Sequence, residues 1–486
     1  MDLPIIIHKE ALVPLHRQLT NALRDAISCG RLTALQALPS TRELAETLSI
    51  SRRTVVRSYN DLVSQGYLET KFGGSTFVST SPPIDPPPQI DTPTGEDSID
   101  TDLLSDFTAE LLKTGTESLD FGFFSRLNYC AAPAEMLPVK QWRALLSKQC
   151  AITDPSQLGY VVDVFGDSTL RDALAKYLRR SKALQCNAEQ VISFSDTKGS
   201  LDLISRTLIN AGDTVVVEDP GYVYAREMFE AYGANVVAIP IDENGLCVDE
   251  LKKIPQKVKL LYCTPSHQDP TGAVMSLERR RALLAWAKDN CDFIVEDAFD
   301  SDYFFSTAPL PALHAMDDTG RVLYLYSFWK LLFPLTATGY LVVPPSLSPA
   351  FRATKQHVNR FFSSIEQLAL AEFLNEGHLE RHWKATRGEL KKRRQALIFA
   401  LKMAFLDDIA FFGEGAGLHL SVRFTVPKTS EQILECAENA GFPLMPTYIY
   451  YAGAFPEREF LVPFSVVPSE DAAQLVERFV EQIKKS

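Results

Sequence analysis

With 486 residues, 46% hydrophobic and 23% charged, the chain is long enough for roughly two to four domains, and it holds no apolar run near the ~18–20 residues that span a bilayer. Its net charge of −12 argues against a nucleic-acid partner, yet residues 1–80 carry nine Lys/Arg against seven Asp/Glu, a net +2 that leaves −14 for the remainder. Eight scattered cysteines without a CxxC pair, and an N-terminus without a signal-peptide pattern, predict a cytoplasmic protein with reduced thiols and no metal site.

The first elements announce themselves by their caps. In Leu38-Pro39-Ser40-Thr41-Arg42-Glu43, either Ser40 or Thr41 can cap a helix, with Glu43 placed for a capping box. Leu44, Ala45 and Leu48 then make an apolar face. After a turn at Ser49-Ile50, Ser51 caps a second helix running from Arg52 to Val63. Its predicted buried stripe is Val55, Val56, Tyr59, Leu62 and Val63, with Arg52, Arg53 and Arg57 near its N-terminal half. Two short helices, the second opened by basic residues, form the geometry that lays a recognition helix in the major groove. The alternative is a small helical docking domain with solvated arginines. Gly66 to Glu69 and Phe72 to Val78 predict a β-hairpin, a wing whose Gly73-Gly74 tip permits positive φ.

From Val13 to Val78 this stretch resembles the GntR-type winged helix throughout its length. The resemblance implies binding of double-stranded DNA, with Ser40, Thr41, Arg42, Ser51, Arg52, Arg53, Thr54, Arg57, Gly73 and Gly74 as the contacting residues. One departure is that Thr33 to Ala37 replaces a segment where the pattern carries glycine before Leu38-Pro39-Ser40.

Residues 81–102 hold Pro82, Pro83, Pro86, Pro87, Pro88 and Pro93 among Ser, Thr, Asp and Gly. Too little apolar surface is present to fold, so an extended, semi-stiff linker is expected between domain 1–80 and domain 103–486. Beyond it, continuous apolar runs such as Thr214–Val217, Lys259–Tyr262, Phe293–Val295 and Val322–Leu325 alternate with amphipathic stretches. That alternation predicts a parallel α/β sheet covered on both faces.

Several segments of this large domain, in order, resemble the fold-type I aminotransferases as they occur in MocR/GabR-type regulators. They include Leu158-Gly159-Tyr160, Glu218-Asp219-Pro220-Gly221-Tyr222, Thr264 to Gly272, Glu296-Asp297, Ser327-Phe328-Trp329-Lys330 and Gly417-Leu418-His419. The expected architecture is therefore multidomain: a small α+β winged helix-turn-helix followed by a large α/β fold-type I transferase-like domain. The resemblance implies pyridoxal 5'-phosphate as cofactor, with Lys330 as the Schiff-base lysine and Asp297 as partner of the pyridine nitrogen. It places Tyr222 near the ring, and Ser195, Thr197 and Ser327 as hydroxyl donors toward the phosphate. His267 either approaches the ring's phenolic edge or is a structural histidine.

Other positions depart from the pattern. Phe299 replaces a tyrosine that donates to the cofactor, Ala337 replaces the phosphate-gripping arginine, and bulky Trp329 replaces a serine. The phosphate cup reads Ser195-Asp196-Thr197-Lys198, where a carboxylate opposes a dianion and Lys198 offsets it. Tyr224 stands where some relatives carry a carboxylate-gripping arginine, and Leu461-Val462-Pro463-Phe464 lacks the arginine of active aminotransferases. Weak cofactor binding and little transamination are expected. The resemblance further implies a head-to-tail homodimer and a small effector, an amino acid or a vitamin B6 compound. Two rival readings stand beside this one: an active aminotransferase with a regulatory appendage, and a cofactor-free regulator that uses the domain as a dimerisation scaffold.

Overall fold

The computed structural model describes residue 7 and residues 13–70, 75–82, 103–113, 132–152, 163–305, 309–358, 362–413 and 415–485. It divides into two compact units, Met1–Asp100 and Thr101–Ser486. The wing tip with Gly73 and Gly74, most of the proline-rich segment, and Leu158-Gly159-Tyr160 lie outside the described residues.

In the first unit, α1 (Leu15–Ser28), α2 (Thr41–Thr47) and α3 (Arg52–Ser64) precede the antiparallel pair β1 (Leu68–Thr70) and β2 (Thr76–Val78). Leu19, Leu23, Leu44, Val55, Tyr59 and Leu62 close one core, which Thr20 and Ser58 join by a buried hydroxyl bond of 3.0 Å. The expected stripe on α3 needs correcting. Val56 and Val63 are each 37% exposed, whereas Ser58 is fully buried. Positions 55, 58, 59 and 62 follow the helical period that faces α1, and 56 and 63 rotate off it.

The second unit is built on an eight-stranded sheet ordered β3-β10-β9-β8-β7-β4-β5-β6. Its strands are β3 (Val191–Phe194), β4 (Thr214–Asp219), β5 (Asn235–Asp242), β6 (Gly245–Leu246), β7 (Val258–Cys263), β8 (Cys291–Asp297), β9 (Val322–Ser327) and β10 (Gly339–Val342). The four runs singled out in the sequence are β4, β7, β8 and β9, and these pair parallel in the order β4-β7-β8-β9. The sheet as a whole is mixed, because β10 runs antiparallel to both β3 and β9, and β6 antiparallel to β5. Both faces are buried by alternate residues: Leu323 and Leu325 enter one apolar cluster, Tyr324 and Tyr326 the other. A second, antiparallel sheet, ordered β11-β12-β14-β13, is formed by β11 (Ile409–Phe412), β12 (Leu420–Phe424), β13 (Met445–Pro446) and β14 (Glu459–Val462), and it had no counterpart in the sequence reading. Among the described residues no helix is long and apolar enough to cross a membrane.

Candidate functional site

The first unit exposes the basic face of α3 to solvent. Ser40 caps α2 by accepting the Glu43 N–H at 3.2 Å, and Ser51 caps α3 by accepting the Thr54 N–H at 3.1 Å. Of the two candidate caps on α2, Ser40 is the one used. Tyr59 donates to the Pro39 carbonyl at 2.9 Å, and Arg52 reaches Thr41 Oγ1 at 3.3 Å, so the two helices are locked across their turn. Arg42 pairs with Glu46 on the exposed face of α2. Arg53 and Arg57 project from α3 into solvent with no carboxylate partner among the described residues. Cations unopposed by neighbouring acids suit a polyanion.

In the second unit the parallel strands deliver their following loops to one edge of the sheet. There lie Ser195 after β3, Tyr222 after β4, Thr264 to Asp269 after β7, Asp297 at the end of β8, and Ser327 to Lys330 after β9. The carboxyl edge is where open α/β sheets bind ligands. Lys330 sits in a four-residue helix, Trp329–Leu332, and is only 8% exposed. Its Nζ lies 5.3 Å from the centre of the Trp329 ring system and 5.7 Å from that of Phe299. Asp297 is buried and accepts the Tyr262 hydroxyl at 2.6 Å and the Phe299 N–H at 3.0 Å. Burial pushes its carboxyl up to about 6 despite those donors.

Two further carboxylates share the site and were not singled out in the sequence. Burial pushes Asp269 up to about 7, while the Lys330 charge pulls it down and Asp297 and Asp300 push it up. Asp300 is 2% exposed, and among the described residues neither of its carboxylate oxygens has a well-formed hydrogen bond, the backbone of Leu418 being the donor that acts on it. Burial raises its pKa also, against the opposing charge of Lys330. The lysine charge therefore acts on Asp269 and Asp300. His267 Nδ1 lies 3.4 Å from Asp300 Oδ2, and the His267 and His419 rings are 5.2 Å apart. Burial holds both histidines neutral, at about 3, so the His267–Asp300 approach is a polar contact and not an ion pair. His419 is anchored through Nε2 to the Pro270 carbonyl at 2.7 Å, whereas neither ring nitrogen of His267 makes a well-formed hydrogen bond among the described residues. Gly417, at φ +80°, admits the His267 ring, because a Cβ there would stand 2.1 Å from His267 Cε1.

The remaining candidates occupy the rim. Tyr222 caps the Val223–Ala231 helix and meets Tyr224 edge-on at 5.7 Å. Its hydroxyl pKa is raised, first by burial and then by the charges of Asp297 and Asp269. Ser195 donates to Asp196 at 3.1 Å, and Thr197 opens the Thr197–Leu208 helix. Ser327 donates to the Ala337 carbonyl at 3.3 Å. Lys198 Nζ lies over the Tyr224 ring, 3.5 Å from its centre. The ring end of this site fits a pyridoxal ring, through Asp297, Tyr222 and Lys330. The phosphate end fits a phosphate poorly, since two of its three expected hydroxyl donors, Ser195 and Ser327, spend their protons on protein acceptors and position 337 supplies no cation.

Comparison with known proteins agrees with this two-part geometry. Residues 15–78 match the model of bacterial regulatory proteins of the gntR family, and residues 128–479 match aminotransferase class I and II. The protein named "Probable rhizopine catabolism regulatory protein MocR" from Rhizobium meliloti is 32% identical over 445 residues, 91% of this chain and 88% of that one. The chain belongs to the MocR-type regulators. It is thus a DNA-binding transcriptional regulator carrying an aminotransferase-like domain. Another MocR-type relative is the pyridoxine biosynthesis regulator PdxR of Corynebacterium glutamicum, 30% identical over 396 residues, 81% of this chain and 80% of that one. Among solved structures, the kynurenine aminotransferase of Pyrococcus horikoshii, in complex with PMP, superposes with TM-score 0.66 and 27% identity over 73% of this chain and 89% of that one. A multiple substrate aminotransferase from Thermococcus profundus gives TM-score 0.67 at 26% identity, covering 79% and 96%. The fold is that of enzymes built around a pyridoxal-type cofactor.

Proposed function

We propose that this MocR-type regulator senses a small carbonyl compound of the pyridoxal class at Lys330 and couples it to operator binding, acting as a cytoplasmic head-to-tail homodimer. In this reading residues 1–80 recognise DNA, 81–102 tether, and 103–486 sense and dimerise. The effector class is vitamin B6 related, or an amino acid acting through such a compound. The observation that carries the reading is the buried Lys330 amine, set at the carboxyl edge in the field of Asp269 and Asp300, with Asp297 held by Tyr262 at the same edge.

A lysine amine adds to a carbonyl only after losing its proton, and Asp269 and Asp300 are the acceptors in its field. Asp297 would hold a protonated ring nitrogen, and Tyr222 would flank the ring. A bound pyridoxal ring withdraws electrons from its aldehyde carbon, which is the chemistry it supplies. Phe299 presents no hydroxyl to the ring, so little transamination is expected.

The test is an absorbance titration of the full chain with pyridoxal and pyridoxal phosphate. A new near-ultraviolet to visible band is expected in the wild type and absent in Lys330→Ala. In a gel shift the ligand should alter operator affinity in the wild type alone. No band with either compound sinks the sensing reading and leaves the domain as a dimerisation scaffold.

A further inference from the structure

The backbone register places the Thr197–Leu208 helix against the Lys330 site. Phe194 at the end of β3, Gly339 at the start of β10 and Ser327 at the end of β9 lie in one row across the sheet. Ser195-Asp196 and Ser327–Lys330 therefore open at the same edge, two strands apart. The 12-residue helix directs the positive end of its dipole, and N–H groups without helical partners, toward this edge. A ligand anion beside Lys330 would ordinarily settle there.

That position is already taken. Asp196 is the N-cap, and its Oδ1 accepts the Gly199 N–H at 2.7 Å while Oδ2 accepts the Ser195 hydroxyl at 3.1 Å. A separate observation comes from the other end of the row. Ser327 donates its hydroxyl to the Ala337 carbonyl at 3.3 Å and accepts the Trp329 N–H at 3.2 Å, so it too has no proton to offer. Lys198, the cation on the first turn of the helix, lies over the face of Tyr224. Three donors that could receive a ligand anion are thus each bound to a protein oxygen, two of them to one carboxylate.

We propose that Asp196 is a built-in anion that fills the helix N-terminus, so that the site accepts a carbonyl ligand without a phosphate, of which pyridoxal is the model, in preference to its phosphate ester. The proposal rests on the reading of Lys330 as a carbonyl-binding lysine. It makes Asp196 a specificity residue: a ligand phosphate must displace the carboxylate from Gly199 and then stand beside it, like charge against like.

The full chain is titrated with pyridoxal and with pyridoxal phosphate, following the Lys330-dependent band, in wild type, Asp196→Asn and Asp196→Gly. Asparagine keeps the cap and removes the charge, and glycine vacates the position at little cost to the helix. In the wild type pyridoxal phosphate is expected to bind no tighter than pyridoxal. In both variants the affinity ratio should move toward the phosphate by roughly tenfold or more, the scale of one charge-assisted hydrogen bond. Inorganic phosphate supplies a readout independent of Lys330: it should raise the unfolding temperature of Asp196→Gly and leave that of the wild type unmoved. A wild type that clearly prefers the phosphate ester, a ratio unchanged in both variants, or equal phosphate stabilisation of wild type and Asp196→Gly, each overturns the assignment of Asp196 while leaving Lys330 in place. Silence of both aldehydes in every chain, indistinguishable from Lys330→Ala, overturns the Lys330 reading and this proposal with it.

Discussion

Asp269 shows how much one buried side chain can report. Its pKa is about 7 in the folded chain against an ordinary 3.8, and burial is the chief cause. Between those values the native state holds a proton that the unfolded chain has released, so stability falls as pH rises, by about 1.4 kcal/mol per unit, and the loss is complete above about 7. His267 and His419 act in the opposite sense, because their pKa values are held down at about 3. The difference between wild type and Asp269→Asn isolates the aspartate. Asp269→Asn is expected to gain relative stability from pH 4 to pH 7 and to level off beyond, as read by denaturant unfolding across that range. A flat difference would mean that Asp269 is not desolvated. On the DNA side, Arg53 has no carboxylate partner among the described residues, so Arg53→Ala should weaken specific operator binding by about 1–3 kcal/mol if it reads a base edge. An unaltered gel shift for Arg53→Ala would exclude it from the reading face.

Among the elements, the helix-turn-helix was the most legible because its signals are local. Ser40 and Ser51 each cap their own helix three residues on, a relation within the reach of sequence spacing. The stripe on α3 was less legible, since Val56 and Ser58 change places only once α1 selects which side is buried. Leu35 carries a local cost: it adopts φ +66° with 55% of its surface exposed, in the stretch where the GntR-type pattern has glycine. A left-handed non-glycine residue is strained by roughly 1–2 kcal/mol. Leu35→Gly should therefore stabilise the first unit by about 1 kcal/mol, seen as a later thermal transition. A loss of stability would show that the Leu35 side chain contributes more than its backbone costs.

At the scale of the molecule, a mildly basic reading head on an acidic body makes DNA affinity depend on few cations. Each phosphate neutralised contributes about −0.9 to the slope of log affinity against log salt. If Arg52, Arg53 and Arg57 each meet a phosphate in both heads of a dimer, replacing all three by alanine should flatten that slope by roughly 5. A flattening of about half that size would indicate that one head binds. Light scattering decides the assembly directly, with a mass near twice the 54.2 kDa chain expected.

Sequence by itself determined the two-part organisation, the helix-turn-helix with Ser51 as cap of its second helix, and the four parallel strands. These follow from periodicity, short-range capping and ordered motifs, which survive in a linear reading. Tertiary structure alone decided that β10 runs antiparallel between β3 and β9, that a second sheet forms near the C-terminus, and that Asp269, Asp300 and His419 join Lys330. Asp269 and Asp300 are ordinary loop acids until the strand ends converge and strip them of water. Asp196, a charge opposed to an expected phosphate in the sequence, became a helix cap only when its carboxylate met the Gly199 N–H. Desolvation and hydrogen-bond direction are properties of packing, and no spacing of residues along the chain encodes them.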